Sequence, residues 1–206
     1  MRKTQNFNWP ALSLGTCYYP EHWDKKLWRE DLRRMKENGI FTVRIAEFAW
    51  NKLEPREGEY TFDFFDSFLD VAEEEGMKVI FGTPTATPPV WLTEKYPEVL
   101  NCRLDGTPFR HGMRRHYNYN SPVYRKFCSI IVEKAVQHYG QRPCIVGWQI
   151  DNEINCEVDV FYSESDTAAF REFLKEKYQT LDALNEAWGT VFWNQTYTKW
   201  EEIYVP

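Results

Sequence analysis

The sequence predicts an α/β chain in which parallel strands are joined by helical crossovers. Three observations carry that prediction. Short apolar runs alternate with amphipathic stretches in the order β-α-β-α-β-α-β-α, which builds a parallel sheet rather than hairpins. The amphipathic stretches place their apolar residues at helical spacing and close on glycine. The last run, Cys144-Ile145-Val146 into Gly147-Trp148-Gln149-Ile150-Asp151-Asn152-Glu153, stays largely apolar until it ends on an amide beside a carboxylic acid. Strands buried on both faces read as such runs, and in barrel enzymes the polar residues at a strand's C-terminal end carry the chemistry. Four βα units are visible, which fits either an open sheet or the first half of an eight-unit barrel.

Leu14 to Tyr19 reads as the first strand. A helix follows from Asp24 to Asn38, with Trp28, Leu32 and Met35 on one face and Gly39 as its stop. Thr42 to Phe48 forms the second strand. Asp63 caps the next helix, whose stripe of Phe64, Phe65, Phe68, Leu69 and Ala72 ends at Gly76. Lys78 to Thr83 is the third strand, interrupted by Pro84. Residues 85–120 read as a long irregular insert with a short helix around Pro89 to Lys95. Ser121-Pro122 is an N-cap followed by proline at the first helical position, opening a helix that runs to Tyr139 and stops at Gly140. The strand toward Glu153 follows, then helices at Thr167–Tyr178 and Leu181–Trp188.

Composition narrows the partners. A net charge of −6 argues against nucleic acid, because phosphate binding needs a basic surface. No run of 18 apolar residues is present, so no membrane span is expected, and Phe7-Asn8-Trp9-Pro10 is no hydrophobic signal region. Cysteines 17, 102, 128, 144 and 156 are odd in number and form no CxxC pair, which fits a reducing cytoplasm. The sequon at Asn194-Gln195-Thr196 is then expected to stay unglycosylated. An aromatic content of 17% also suits sugar faces, whose axial C–H groups lie well on a ring.

Several motifs together resemble one family. Gly15-Thr16-Cys17-Tyr18-Tyr19-Pro20-Glu21-His22-Trp23 and Arg44-Ile45-Ala46-Glu47-Phe48-Ala49-Trp50 come first. Leu53-Glu54-Pro55 with Gly58 and the stretch Thr83 to Leu92 follow. Then come Arg114-Arg115-His116-Tyr117, Gln149 to Glu153, and Leu184 to Trp193. In this order and spacing they resemble the opening of glycoside hydrolase family 42, the β-galactosidases, from about residue 12 to the last residue.

The resemblance implies a TIM barrel and a retaining mechanism. One carboxylic acid protonates the glycosidic oxygen, and a second carboxylate, about 5–5.5 Å away, attacks the anomeric carbon. Glu153 matches the acid/base, and it must stay protonated near neutral pH, which takes an apolar wall or a nearby carboxylate. Asn152 matches the amide that bonds the sugar's 2-hydroxyl. Arg114 matches the arginine of the −1 sugar site, with its fixed fork of donors. The implied partner is a galactoside, with no cofactor and with homo-oligomers possible.

Structural roles compete with each assignment. Glu153 could cap a helix, Arg114 competes with Arg115 and with a surface ion pair, and Asn152 could simply be structural. Glu47 could reach the cleft or be a strand-end carboxylate tied to a neighbouring arginine. His22 and His116 read as hydrogen-bonded packing residues; Trp50 and Trp91 fit sugar contact and core packing equally.

Two departures from the family pattern stand out. Many members hold a structural zinc with four cysteines, one just after the arginine motif and three after the acid/base strand. Here Asn118 takes the first position, and Cys156 is the only cysteine after Glu153, so no zinc is expected. The family's nucleophile is a glutamate on the seventh strand, and no residue of this chain matches it. A complete barrel needs about 250 residues, so residues 1–206 read as one incomplete barrel domain, with the nucleophile downstream. An inactive half-barrel and a clan-related β-glycosidase are the alternatives. A half-barrel would expose an open edge strand and is expected to self-associate.

Overall fold

The structure, a computed structural model, describes residues 13–206. These residues cluster into two compact units. The first comprises the described residues up to Leu92 together with Cys128–Cys156; the second comprises Thr93–Phe127 and Glu157–Pro206. The elements in chain order are β1 (Leu14–Cys17), α1 (Lys25–Glu37), β2 (Ile40–Ile45), α2 (Trp50–Leu53), α3 (Asp63–Glu74) and β3 (Lys78–Gly82). After them come α4 (Val90–Lys95), α5 (Pro122–Tyr139), β4 (Ile145–Gln149), α6 (Glu164–Tyr178) and α7 (Leu181–Trp188). Among the described residues no helix is long and apolar enough to cross a membrane.

The four strands lie in the order β1-β2-β3-β4, and every pairing is parallel. Register sets Val43 beside Val79 and Ile45 beside Phe81, and all four side chains are fully buried. Trp28 and Leu32 of α1 and Phe65, Phe68, Leu69 and Ala72 of α3 are buried with them. The Trp28 and Phe68 rings meet edge to face at 5.3 Å. Each such large apolar side chain contributes about 1.5–3 kcal/mol on burial. In the second half of α5, Ile131, Ala135 and Tyr139 form the buried stripe, and the Tyr139 ring stacks on Phe81 at 4.8 Å.

Local chemistry explains most boundaries and corrects several expected ones. Asp24 caps α1 through its carboxylate, which accepts from the Lys26 amide, and Gly39 turns the chain away at φ 81°. Asp63 does not cap α3; the cap position is Phe62, and Asp63 is the first helical residue, where its charge faces the positive helix end. The Ser121 hydroxyl accepts from the Tyr124 amide, the bond that starts α5. The next helix, α6, begins at Glu164 rather than Thr167, because Ser163 and Asp166 form a reciprocal capping box. The second strand stops at Ile45 rather than Phe48, since Ala46 turns to φ 76°. The last strand stops at Gln149, so Glu153 lies beyond it in an irregular turn.

The second unit has its own core of Leu174, Leu184 and Ile203 with Phe170, Tyr178, Leu181, Tyr197 and Trp200 packed around it. In the same unit, Asn118 is fully buried and donates to both the Ser163 hydroxyl and the Asp166 carboxylate. Asn120 donates to the other Asp166 oxygen at 2.8 Å. These amide, hydroxyl and carboxylate groups satisfy one another, and a donor set without thiolates does not fit the closed tetrahedral zinc site of the resemblance.

Four outcomes test this account of the fold. A Cβ on Gly82, at the end of β3, would lie 2.8 Å from the Glu47 Cβ and 2.9 Å from its Cα and N. Gly82→Ala should therefore cost about 1–3 kcal/mol by overpacking, read as a lowered urea midpoint. Burial holds the His116 pKa below its ordinary value of 6.5, with the Met113 carbonyl partly opposing and His111 reinforcing the shift. The unfolded chain therefore takes up a proton that the folded chain refuses. Stability should be full above pH about 6.5 and fall below it, by at most about 1.4 kcal/mol per pH unit, and His116→Gln should flatten that slope. Chelation with EDTA should leave the melting temperature unchanged. Asp166→Ala, which strands several buried donors, should cost about 1–3 kcal/mol for each donor left unpaired.

Candidate active site

The turn after β4 is held from both sides. The Thr83 amide donates to the Gln149 carbonyl at 2.8 Å, and the Asp151 amide donates to the Thr83 hydroxyl at 2.8 Å. The Asp151 carboxylate accepts from the Thr85 hydroxyl at 2.7 Å and from the Asn152 amide at 2.7 Å. So anchored, Asp151 and Glu153 adopt left-handed backbone conformations with φ of 55° and 47°. Such conformations cost about 1–3 kcal/mol each in a non-glycine residue and gather at functional sites. Asp151 and Asn152 are buried, whereas Glu153 is exposed. The Asn152 amide nitrogen donates to the Glu153 carboxylate at 3.3 Å. Two of the residues singled out in the sequence are thereby brought together.

A second carboxylate stands at the end of β2. Glu47 is fully buried, and its Oε1 accepts from Arg44 Nε at 3.0 Å, from Arg44 Nη2 at 2.8 Å and from the Tyr19 hydroxyl at 3.0 Å. Of the two readings of Glu47, the geometry is that of the strand-end carboxylate tied to its arginine. Its Oε2 has no hydrogen-bond partner among the described residues. Burial, and then the Glu47 charge, push the Tyr19 phenol above its ordinary pKa. Glu21 is raised as well, mainly by burial and further by Glu47. Sequence reasoning passed over Glu21, which shares a motif with His22 but follows a proline in a single-turn helix (Pro20–His22) rather than a strand end.

Other candidates separate cleanly. His22 is exposed, its ring 5.6 Å from that of Tyr19. His116 is buried, with Nδ1 2.5 Å from the Met113 carbonyl oxygen, as a packing residue would be. Trp50 is fully buried and donates to Glu54 at 2.8 Å, which makes it core. Trp91 is half-buried and donates to the Glu54 carbonyl at 3.0 Å. In the second unit Arg115 is buried and donates to the hydroxyls of Tyr117 and Tyr119, each at 2.6 Å. Arg114 keeps a third of its side chain accessible and pairs with Glu157 at 3.3 Å. Arg115 is thus the structural member of the pair, and Arg114 the one with donors near solvent.

Comparison with known proteins identifies the family. The model of glycoside hydrolase family 42, described as β-galactosidase, matches residues 17–206. A β-galactosidase of Thermus thermophilus is 47% identical over 194 residues, which cover 94% of this chain and 30% of that protein. A β-galactosidase of Halorubrum lacusprofundi is 42% identical, covering 95% and 28%. Among solved structures, a β-galactosidase from the psychrophilic Marinomonas ef1 superposes with a TM-score of 0.91 at 45% identity, over 95% of this chain and 30% of that one. The chain thus spans about 30% of the length of the curated relatives it matches. Its four strands and helical crossovers are the N-terminal portion of a TIM barrel. The chain belongs to glycoside hydrolase family 42.

Proposed function

We propose that these residues supply the acid/base half of a retaining β-galactosidase site. In the first step the Glu153 carboxyl gives its proton to the glycosidic oxygen as that bond breaks, while a carboxylate outside these residues attacks the anomeric carbon. In the second step the Glu153 carboxylate takes a proton from water, which displaces the enzyme from the sugar with net retention. Asn152 donates to the sugar's 2-hydroxyl, and Arg114 offers its fork to the −1 sugar. The observation that carries this reading is the placement of Asn152 and Glu153 side by side on an anchored, strained turn at the C-terminal end of a parallel strand. In barrels of this kind the chemistry sits at that end of the strands. Family membership and the names of the relatives support the galactoside as substrate.

Hydrolysis of p-nitrophenyl β-D-galactoside by the chain, with Glu153→Gln beside it, tests the first point. Activity lost in the variant would mean that a nucleophile acts within these residues or between two copies; inactivity agrees with a nucleophile outside them. In a polypeptide carrying the complete barrel, Glu153→Gln should slow lactose hydrolysis about 10²–10⁴-fold. It should leave an activated aryl galactoside able to form the glycosyl-enzyme but not to release it. Azide should restore turnover and yield a β-galactosyl azide. Normal lactose hydrolysis by Glu153→Gln would remove the assignment.

A further inference from the structure

We propose that Gln149 is a positioning residue: held by Arg44, it locks the Asn152 side-chain amide with its NH2 group toward Glu153, so that this corner of the site can only donate. The geometry stands independently; its use in catalysis rests on the galactosidase reading above.

The argument is one of hydrogen-bond polarity. The Arg44 guanidinium has donors only, so the Gln149 atom that meets Arg44 Nη1 at 2.9 Å must be the oxygen. At its other end Gln149 faces the Asp151 carbonyl at 2.8 Å, which has acceptors only, so that atom must be the NH2 nitrogen. Two groups of fixed polarity thus set Gln149 independently. Its second N–H reaches Asn152 at 3.0 Å, and a donor arriving there requires the Asn152 oxygen. The Asn152 nitrogen must then point the other way, toward Glu153 Oε2 at 3.3 Å.

Arg44 itself cannot turn, because Nε and Nη2 are both spent on Glu47, which the Tyr19 hydroxyl also holds. Polarity therefore passes from an ion pair on a buried carboxylate at the end of β2 to an amide at the mouth of β4 without an ambiguous link. A free asparagine could flip its amide for roughly the energy of a hydrogen bond; this one would have to set two donors or two acceptors face to face. A donor-only amide suits a hydroxyl, whose lone pairs can turn toward it. It opposes an ammonium at the same sugar carbon, which has only protons to offer.

The test is spectroscopic and needs no turnover. In the chain labelled with ¹⁵N, the Asn152 side-chain amide protons should shift as Glu153 ionises, and Glu153→Gln should abolish that shift, separating it from titration of Asp151. Gln149→Met, which keeps length and removes both hydrogen-bonding ends, should reduce it by more than half. Gln149→Glu keeps the Arg44 contact but turns an oxygen to Asn152, and it should do the same while preserving the fold. An absent shift in the wild-type chain, or a full shift in either folded variant, overturns the relay. Failure of the azide assay would instead overturn the galactosidase reading and leave the relay intact.

Discussion

The ion pair between half-buried Arg44 and fully buried Glu47 is the constraint around which the C-terminal ends of these strands are arranged. Removing a carboxylate wholly from water costs several kcal/mol, and a cation recovers that only with good geometry and further donors. Here one oxygen receives two N–H groups of the guanidinium and a phenol. The pair also dictates its surroundings. Gly82 has no side chain where Glu47 lies against β3, and Gln149 has its amide set by the arginine's remaining arm. Withdrawing the arginine's charge would leave the Glu47 carboxylate buried without its cation, a loss of about 3–5 kcal/mol.

Much of the fold was legible because local signals and tertiary packing agree. The stripes of α1 and α3 that the spacing picked out are the buried faces, and α7 begins and ends where its pattern does. Disagreement came where backbone conformation overrides pattern. Nothing in the run Thr42 to Phe48 announces that Ala46 leaves the β region, because alanine has no preference for left-handed backbone. The same holds for Glu153, which reads as a strand end and lies in a turn fixed by Thr83 and Thr85 from the neighbouring strand's end. That dependence is non-local, and no window around residue 153 contains it. The Ser163–Asp166 capping box, by contrast, is a local signal within four residues, and the reading that began the helix at Thr167 passed over it.

The second unit shows how a polar cluster can tie chain segments together. Asn118, Asn120, Ser163 and Asp166 join the stretch before α5 to the start of α6 through hydrogen bonds that also cap a helix. Such a cluster depends on complete pairing, since each of its buried polar groups is costly if left without its partner.

Ala46 sits at the junction of two opposed demands. Its left-handed backbone favours glycine, yet its methyl group is completely buried, so a glycine there would relax the torsion and open a void. The residue is a compromise in which volume has outweighed torsional comfort. Substitution at this position is thereby opposed from both sides: a larger side chain aggravates the backbone, and a smaller one empties the interior. A short strand end thus acts as a point of low mutational tolerance, although it carries no chemistry of its own.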